Sequence, residues 1–336
     1  MPKMLKRIIC AALCAVAALG TAGLLTADGL WQILSPVPQT APVPQAPTQA
    51  PVQPPHLPTE PIVDEPRVEI VFGEAPADFW TDCPDGIRIE TIAKQTYTAH
   101  VMFVKDPSSV YLTTSTENFS IHIPGGRLPA QMEKEGAIAA INAGSFNDDG
   151  SAGTHVGSLP IGMVVSEGKI KWDDGRSYDG FVGLTQDNQL FVSETINRAT
   201  VEQMQIRDGC CFGPILIKDG AANTEKVHAH SVKDNVNSRT AIGQRADGSI
   251  VFLCIDGRQC GSIGATFDDL LEIMAELECV NACALDGGAS TAMTYRDTYG
   301  RYGTAGAVVT CSSYSLFQAA PRRMPTFFMV RPTEEG

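Results

Sequence analysis

The 336-residue sequence is short of positive charge, with 25 Lys and Arg against 38 Asp and Glu and a formal net charge of −13. That deficit excludes the basic footprint of a nucleic-acid-binding chain. It also means that an anionic ligand must be held by a local cation, because the field of the whole protein repels it. No Cys-x2-Cys pair occurs, and Cys279-x3-Cys283 lacks a matching second pair, which disfavours a zinc site. EF-hand spacing, an internal repeat and a clear lipobox around Cys14 are likewise missing. The length excludes a small disulfide-stapled module, and a hydrophobic content of 43% excludes a wholly disordered chain. One large domain or two small ones are expected after the N-terminal segments.

Those segments are distinct. Lys3, Lys6 and Arg7 precede an uncharged apolar run from Ile8 to Leu25. This predicts a membrane anchor within residues 1–30, with the basic end inside and the rest exported. The small-residue stretch Gly20-Thr21-Ala22-Gly23 offers cleavage and secretion as the alternative. Residues 31–66 are a linker: 11 of the 22 prolines fall between 36 and 66, so the segment favours extended polyproline II and builds no core. Cys83, Cys210, Cys211, Cys254, Cys260, Cys279, Cys283 and Cys311 make an even set beyond the anchor, which in an exported domain permits disulfides.

From about residue 67 the pattern is mostly strands, with a β-rich part at 67–135 and the main domain at 136–331. The fold class expected is α+β, with mixed sheets and a few helices. Arg67–Phe72 alternates, Ile87–Val104 reads as a long strand or hairpin, and Ala137–Ile141 is a buried-type run. Short strands are expected at 162–165, 180–184, 190–192 and 214–217. Arg239–Arg245 and Ile250–Ile255 flank Ala246-Asp247-Gly248-Ser249 and form a hairpin, and a register pairing Arg245 with Ile250 sets Arg239 opposite Asp256. Thr266-Phe267-Asp268-Asp269 opens a helix whose apolar positions are Phe267, Leu270, Leu271, Met274 and Leu277. A strand over 282–285 completes a strand-helix-strand unit at about 250–285.

If the two strands of this unit run parallel, Asp256 and Asp286 emerge at one sheet edge, where ligands bind in such units. Adjacent strands would bring their backbones within roughly 5 Å. Arg239 arrives at the same edge. Gly287 and Gly288 permit close approach of a ligand to the backbone, with N–H groups able to face an anion, and Ser290 and Thr291 offer hydroxyls. Taken alone this segment reads as a tight Asp-Gly-Gly turn, but the strand-helix-strand context and Arg239 favour a binding role.

These residues resemble the phosphodiester glycosidase family. The similarity runs through Ile141-Asn142-Ala143-Gly144-Ser145-Phe146, then Gly213-Pro214-Ile215-Leu216 with Asp219-Gly220. It continues through Arg239-Thr240-Ala241-Ile242-Gly243, Asp247-Gly248, Asp256-Gly257-Arg258, and Leu285-Asp286-Gly287-Gly288 with Ser290. The blocks occur in the family's order and cover roughly 137–330. Ala143 and Ser145 stand where the family has Gly and Phe, and Ala289 replaces a third Gly, differences that bear on substrate more than on fold.

The resemblance implies hydrolysis of a sugar-1-phosphodiester on its glycosidic side, with an N-acetylglucosamine-type or cell-surface glycan as substrate. Arg239 is the expected phosphate clamp, Asp286 the first choice of catalytic carboxylate and Asp256 the second. Asn142, Ser145, Phe146, His155, Gly213, Pro214, Thr240, Gly287, Gly288, Ser290 and Thr291 are the expected substrate contacts. His228-x-His230 would share one face of a strand, where it could bind a metal or donate a proton, although exposed loop histidines are the better explanation of the pair. No cofactor is required. Asp148, Asp149, Asp173 and Asp174 lie in Gly-containing loops that would suit calcium or plain solvated turns. A non-catalytic glycan-binding module on a proline stalk is the competing function. Cleavage of the other P–O bond is a third, and it usually needs a metal or a strong nucleophile.

Overall fold

The computed structural model describes residues 76, 78–83, 85–147, 156–176, 178–258, 261–296, 308–311 and 321–332. The expected anchor, the linker, the 67–72 strand, His155, Asp148, Asp149 and Cys260 lie outside them. The chain divides into Met1–Pro54 and Pro55–Gly336, and all described residues fall in the second unit. No helix among the described residues is long and apolar enough to cross a membrane.

The chain begins with β1 (Ile87–Ala93), β2 (Thr98–Val104), β3 (Val110–Thr114) and helix α1 (Leu128–Glu135). Next come β4 (Ala139–Asn142), β5 (Met163–Ser166), β6 (Lys169–Asp173), β7 (Phe181–Thr185) and β8 (Leu190–Ser193). They are followed by α2 (Arg198–Gln203), β9 (Ile206–Cys211), β10 (Ile215–Lys218), β11 (Ala221–Ala222) and α3 (Thr224–Ala229). The last group is β12 (Arg239–Arg245), β13 (Ile250–Ile255), α4 (Phe267–Glu276), β14 (Cys279–Leu285), β15 (Ala292–Tyr295), β16 (Val308–Cys311) and β17 (Thr326–Val330).

The strands form three sheets, ordered β1-β2-β13-β12-β14-β10-β11, β16-β15-β4-β17-β3 and β6-β5-β9-β7-β8. This is the α+β architecture expected, although every pairing among the described residues is antiparallel rather than mixed. Alternate residues of each strand face one central core. The first sheet contributes Met102 and Phe252, the second Ile141 and Phe328, the third Val182 and Leu184. The other face of the first sheet packs Ala241, Val251 and Leu253 against Phe267, Leu270 and Met274 of α4. Thr266 caps α4 as anticipated: its hydroxyl accepts from Asp269 N–H at 3.1 Å while the Asp269 carboxylate accepts from Thr266 N–H at 2.8 Å.

The strand-helix-strand unit is present in altered form. β13 and β14 do run in the same direction, but β12 lies between them and pairs antiparallel with both. The hairpin closes through a local turn, which leaves the second edge of β12 to receive β14. Its register is one residue from that expected, with Gln244 opposite Ile250 and Arg239 opposite Ile255. The reason lies in the turn. Arg245 N–H reaches Ser249 C=O at 2.9 Å and Gly248 takes φ +86°, so the loop holds three residues, the last in the left-handed region.

Disulfides are corrected too. Cys83, Cys210, Cys211, Cys279 and Cys283 are free thiols. Neighbours on a strand point to opposite faces, so Cys210 enters the central core and Cys211 the cluster behind the third sheet, which precludes a vicinal bridge. Burial pushes the Cys211 thiol up to about 11 and that of Cys279 to about 12. Thiols reluctant to ionise react slowly. Alkylation at pH 8 with peptide mapping should therefore label Cys83 in the native protein and Cys210, Cys211, Cys279 and Cys283 only after denaturation. Thr266→Ala should lower stability by about 1 kcal/mol in urea unfolding, because the Asp269 N–H in the first turn of α4 loses its cap.

Candidate active site

β12 begins, and β13 and β14 end, at one edge of the first sheet, which brings Arg239, Asp256 and Asp286 together as chain positions. Their side chains diverge. Ile255 belongs to the helix-side core, so Asp256, one residue on, turns into the space between the sheets. There it is fully buried, with His100 Nε2 at 3.4 Å from one carboxylate oxygen and the Thr310 hydroxyl donating to the other. Leu285 belongs to the central core, and Asp286 after it lies beside Tyr178 of the helix-side cluster. With β12 interposed, the two strand ends are roughly 10 Å apart, twice the single spacing. The expected convergence of two carboxylates is thus replaced by one buried carboxylate and one half-exposed.

Asp286 is held through its backbone. Its N–H donates to Ala143 C=O at 3.1 Å, and its C=O accepts from Asn142 Nδ2 at 2.6 Å. Asn142 ends β4 in the second sheet, where it is 1% exposed. Its side-chain oxygen accepts from the Thr240 hydroxyl at 3.0 Å and from Ala292 N–H at 3.1 Å. Thr240 also meets Thr291, oxygen to oxygen, at 3.2 Å. Asn142, Thr240 and Thr291 therefore cluster as expected, although as a framework beneath the site.

The glycine segment is packed onto the start of β12. A Cβ on Gly287 would lie 2.8 Å from Ser238 C=O, and Gly288 adopts φ +60°. Gly288 N–H donates to Ser238 C=O at 2.9 Å, so it is not an anion donor here. Gly213-Pro214 performs a related task. A Cβ on Gly213 would lie 2.3 Å from Asp179 C=O, and Pro214 C=O accepts from Ala284 N–H at 3.1 Å. This seats Tyr178 and Asp179 beside the end of β14. A cavity of about 290 Å³ lined by Asp179, Pro214, Ile215, Asn223, Lys226 and His230 opens there.

Arg239 is placed differently from a phosphate clamp. Its guanidinium lies 3.9 Å from the Phe267 ring centroid, Nε donates to Ala265 C=O at 3.1 Å, and a terminal nitrogen donates to Asn235 C=O. Burial lowers it to about 10, which still leaves a cation at neutral pH. The Ser145 hydroxyl donates to backbone carbonyls and so joins the framework. Phe146 lies under a second guanidinium, that of Arg322, 4.8 Å from its ring centroid. Arg322 also reaches the Ser290 hydroxyl at 3.4 Å.

His228 and His230 lie at the end of α3 rather than on a strand. His228 meets Asp268 at 3.0 Å; His230 meets Asp179 at 3.3 Å and packs on Phe267. Asp174 binds the Gly162 and Arg176 N–H groups, and Asp173 the Gly175 N–H, as turn residues do. No group of three or more His, Cys, Asp or Glu among the described residues is arranged to hold a metal.

Three residues at the candidate site carried no usable signal in the sequence. His100 sits on β2 with the ordinary alternation of a strand. Tyr178 precedes a turn, and Arg322 precedes the last strand. Burial, together with the charges of Asp286 and Asp179, raises the Tyr178 phenol above its ordinary value, so it is a neutral hydroxyl at pH 7.

A family model described as phosphodiester glycosidase matches residues 135–331. The SPbeta prophage-derived protein YomE of Bacillus subtilis is 26% identical over 199 residues, 58% of this chain and 28% of its own length. N-acetylglucosamine-1-phosphodiester alpha-N-acetylglucosaminidase of Mus musculus is 24% identical over 220 residues, 60% of this chain and 41% of its own. The chain thus spans less than half the length of either relative. The catalytic domain of the zebrafish N-acetylglucosamine-1-phosphodiester alpha-N-acetylglucosaminidase, auto-inhibited by its pro-peptide, superposes with a TM-score of 0.54 and 18% identity, over 75% of this chain and 85% of that one, a likeness of fold.

Asn142→Ala would strand the Asp286 carbonyl and the Ala292 N–H, while the Thr240 hydroxyl keeps Thr291. Chemical denaturation should show a loss of at least about 2 kcal/mol, since each unsatisfied buried group costs roughly 1–3 kcal/mol.

Proposed function

This chain belongs to the phosphodiester glycosidase family, and we propose that it hydrolyses the glycosidic bond of a sugar-1-phosphodiester to a free sugar and a phosphomonoester. The observation that carries the proposal is Asp286. Its backbone is pinned on both sides by Asn142 and Ala143, while the residue itself is half-buried and its charge is felt by Tyr178. A carboxylate held in this way suits proton transfer, which requires a base at fixed position.

In the proposed step a water oxygen attacks the anomeric carbon and passes a proton to Asp286. The bond from that carbon to the phosphate oxygen breaks, and its electron pair leaves with the phosphomonoester. The departing group has a second pKa of about 6, so it leaves at neutral pH without a general acid. One carboxylate then suffices. This fits a chain whose second candidate, Asp256, is sequestered between sheets with His100 and Thr310. We assign Asp256 to holding the first and second sheets together at the site.

The mouse relative's name makes N-acetylglucosamine the first sugar to try. The basic residues ahead of the 8–25 apolar run support action outside the cytoplasmic membrane, anchored or secreted. Free sugar should appear when the full chain is incubated with the methyl phosphodiester of α-N-acetylglucosamine. Asp286→Asn should lower kcat by about 100-fold or more with an unchanged melting temperature. In ¹⁸O-labelled water the isotope should enter the sugar; isotope in the phosphate would mean cleavage of the other P–O bond. Binding of the diester without turnover would replace the hydrolase with a glycan-binding module.

A further inference from the structure

Given that a phosphodiester is the ligand, a cation must hold it, because the chain as a whole is strongly acidic. Arg239, the cation suggested by the motif, is 7% exposed and directed at Ala265, Asn235 and Phe267. We infer that Arg322, seated on Phe146 and reaching Ser290, holds the phosphodiester. The inference rests on the proposed hydrolysis for the identity of the anion and extends it to a residue outside the motif blocks.

Three observations converge on Arg322. The first is its place. Ser290 lies four residues beyond Asp286, on the segment that the Asn142 network fixes, so the guanidinium stands at the same sheet edge as the carboxylate. The second is preorganisation. The Phe146 ring, 4.8 Å from the Arg322 guanidinium carbon, restricts a planar fork of the kind that pairs with two phosphate oxygens. The third is exposure. Arg322 is partly exposed where Arg239 is buried, so a ligand can approach it. Phe146 and Ser290, assigned by motif to substrate contact, then act through Arg322, one supporting its face and the other orienting one of its nitrogens.

The test uses the full chain and dimethyl phosphate, a diester anion with no glycosidic bond to cleave. Isothermal titration should show binding by the wild type. Arg322→Ala should weaken it by about 10- to 100-fold, the range for lost charge-assisted hydrogen bonds. Arg322→Lys, which keeps the charge and loses the fork, should fall between the two. The KM for the methyl phosphodiester of N-acetylglucosamine should rise in the same order. Melting temperatures of both variants establish that they are folded, and Arg322→Lys serves if Arg322→Ala is not. Unchanged dimethyl phosphate affinity in a folded Arg322 variant would overturn the inference, as would a wild type that binds no dimethyl phosphate. Arg322-dependent binding without sugar release would sink the hydrolase proposal and leave the anion site standing.

Discussion

One buried amide side chain organises the active edge of this protein. Asn142 makes three hydrogen bonds at once: to the carbonyl of Asp286, to the hydroxyl of Thr240 and to the N–H of Ala292. Two of these partners belong to the first sheet or its continuation and one to the second, so the amide ties the sheets together where both end. An amide is suited to this task because it presents donors and an acceptor on one rigid plane. In an apolar interior each bond is strong because no water competes for it. The position of the proposed catalytic carboxylate follows from that amide.

A second polar tie lies along the same seam. Asp256 joins β13 to β16 through Thr310 and to β2 through His100. A buried carboxylate is costly unless its oxygens are satisfied, and here both have partners. The central core, filled by residues such as Phe252, Ile141 and Val182, supplies area-driven cohesion but no unique alignment of sheet ends. The polar ties supply that alignment. This division explains why an Asp at a strand end reads as catalytic from its position and yet serves packing.

Local elements were legible in the sequence wherever the signal was itself local. The Thr266 and Asp269 capping pair, the apolar face of α4, and the Asp247-Gly248 hairpin each depend on residues within a few positions. The hairpin register was off by one because the loop uses three residues rather than four, a choice made by Gly248 in the left-handed region. The insertion of β12 between β13 and β14 was not legible, since periodicity within a strand contains no record of its neighbours. Free thiols, where an even cysteine count had permitted disulfides, have the same origin: pairing depends on which face each strand residue takes.

The order of motif blocks in the sequence determined the family, the α+β class and the arrival of Arg239, Asp256 and Asp286 at one edge, because strand ends and turns are set by short-range patterns. Only the tertiary structure decided which of those groups meets solvent. A one-residue difference in parity turns Asp256 inward and Asp286 outward, and the helix α4 covers Arg239 with Phe267. Likewise, only folding brings Arg322, from the far end of the chain, to Phe146 and Ser290. Side-chain direction and long-range contact arise from how whole sheets stack, and no window of sequence encodes that stacking.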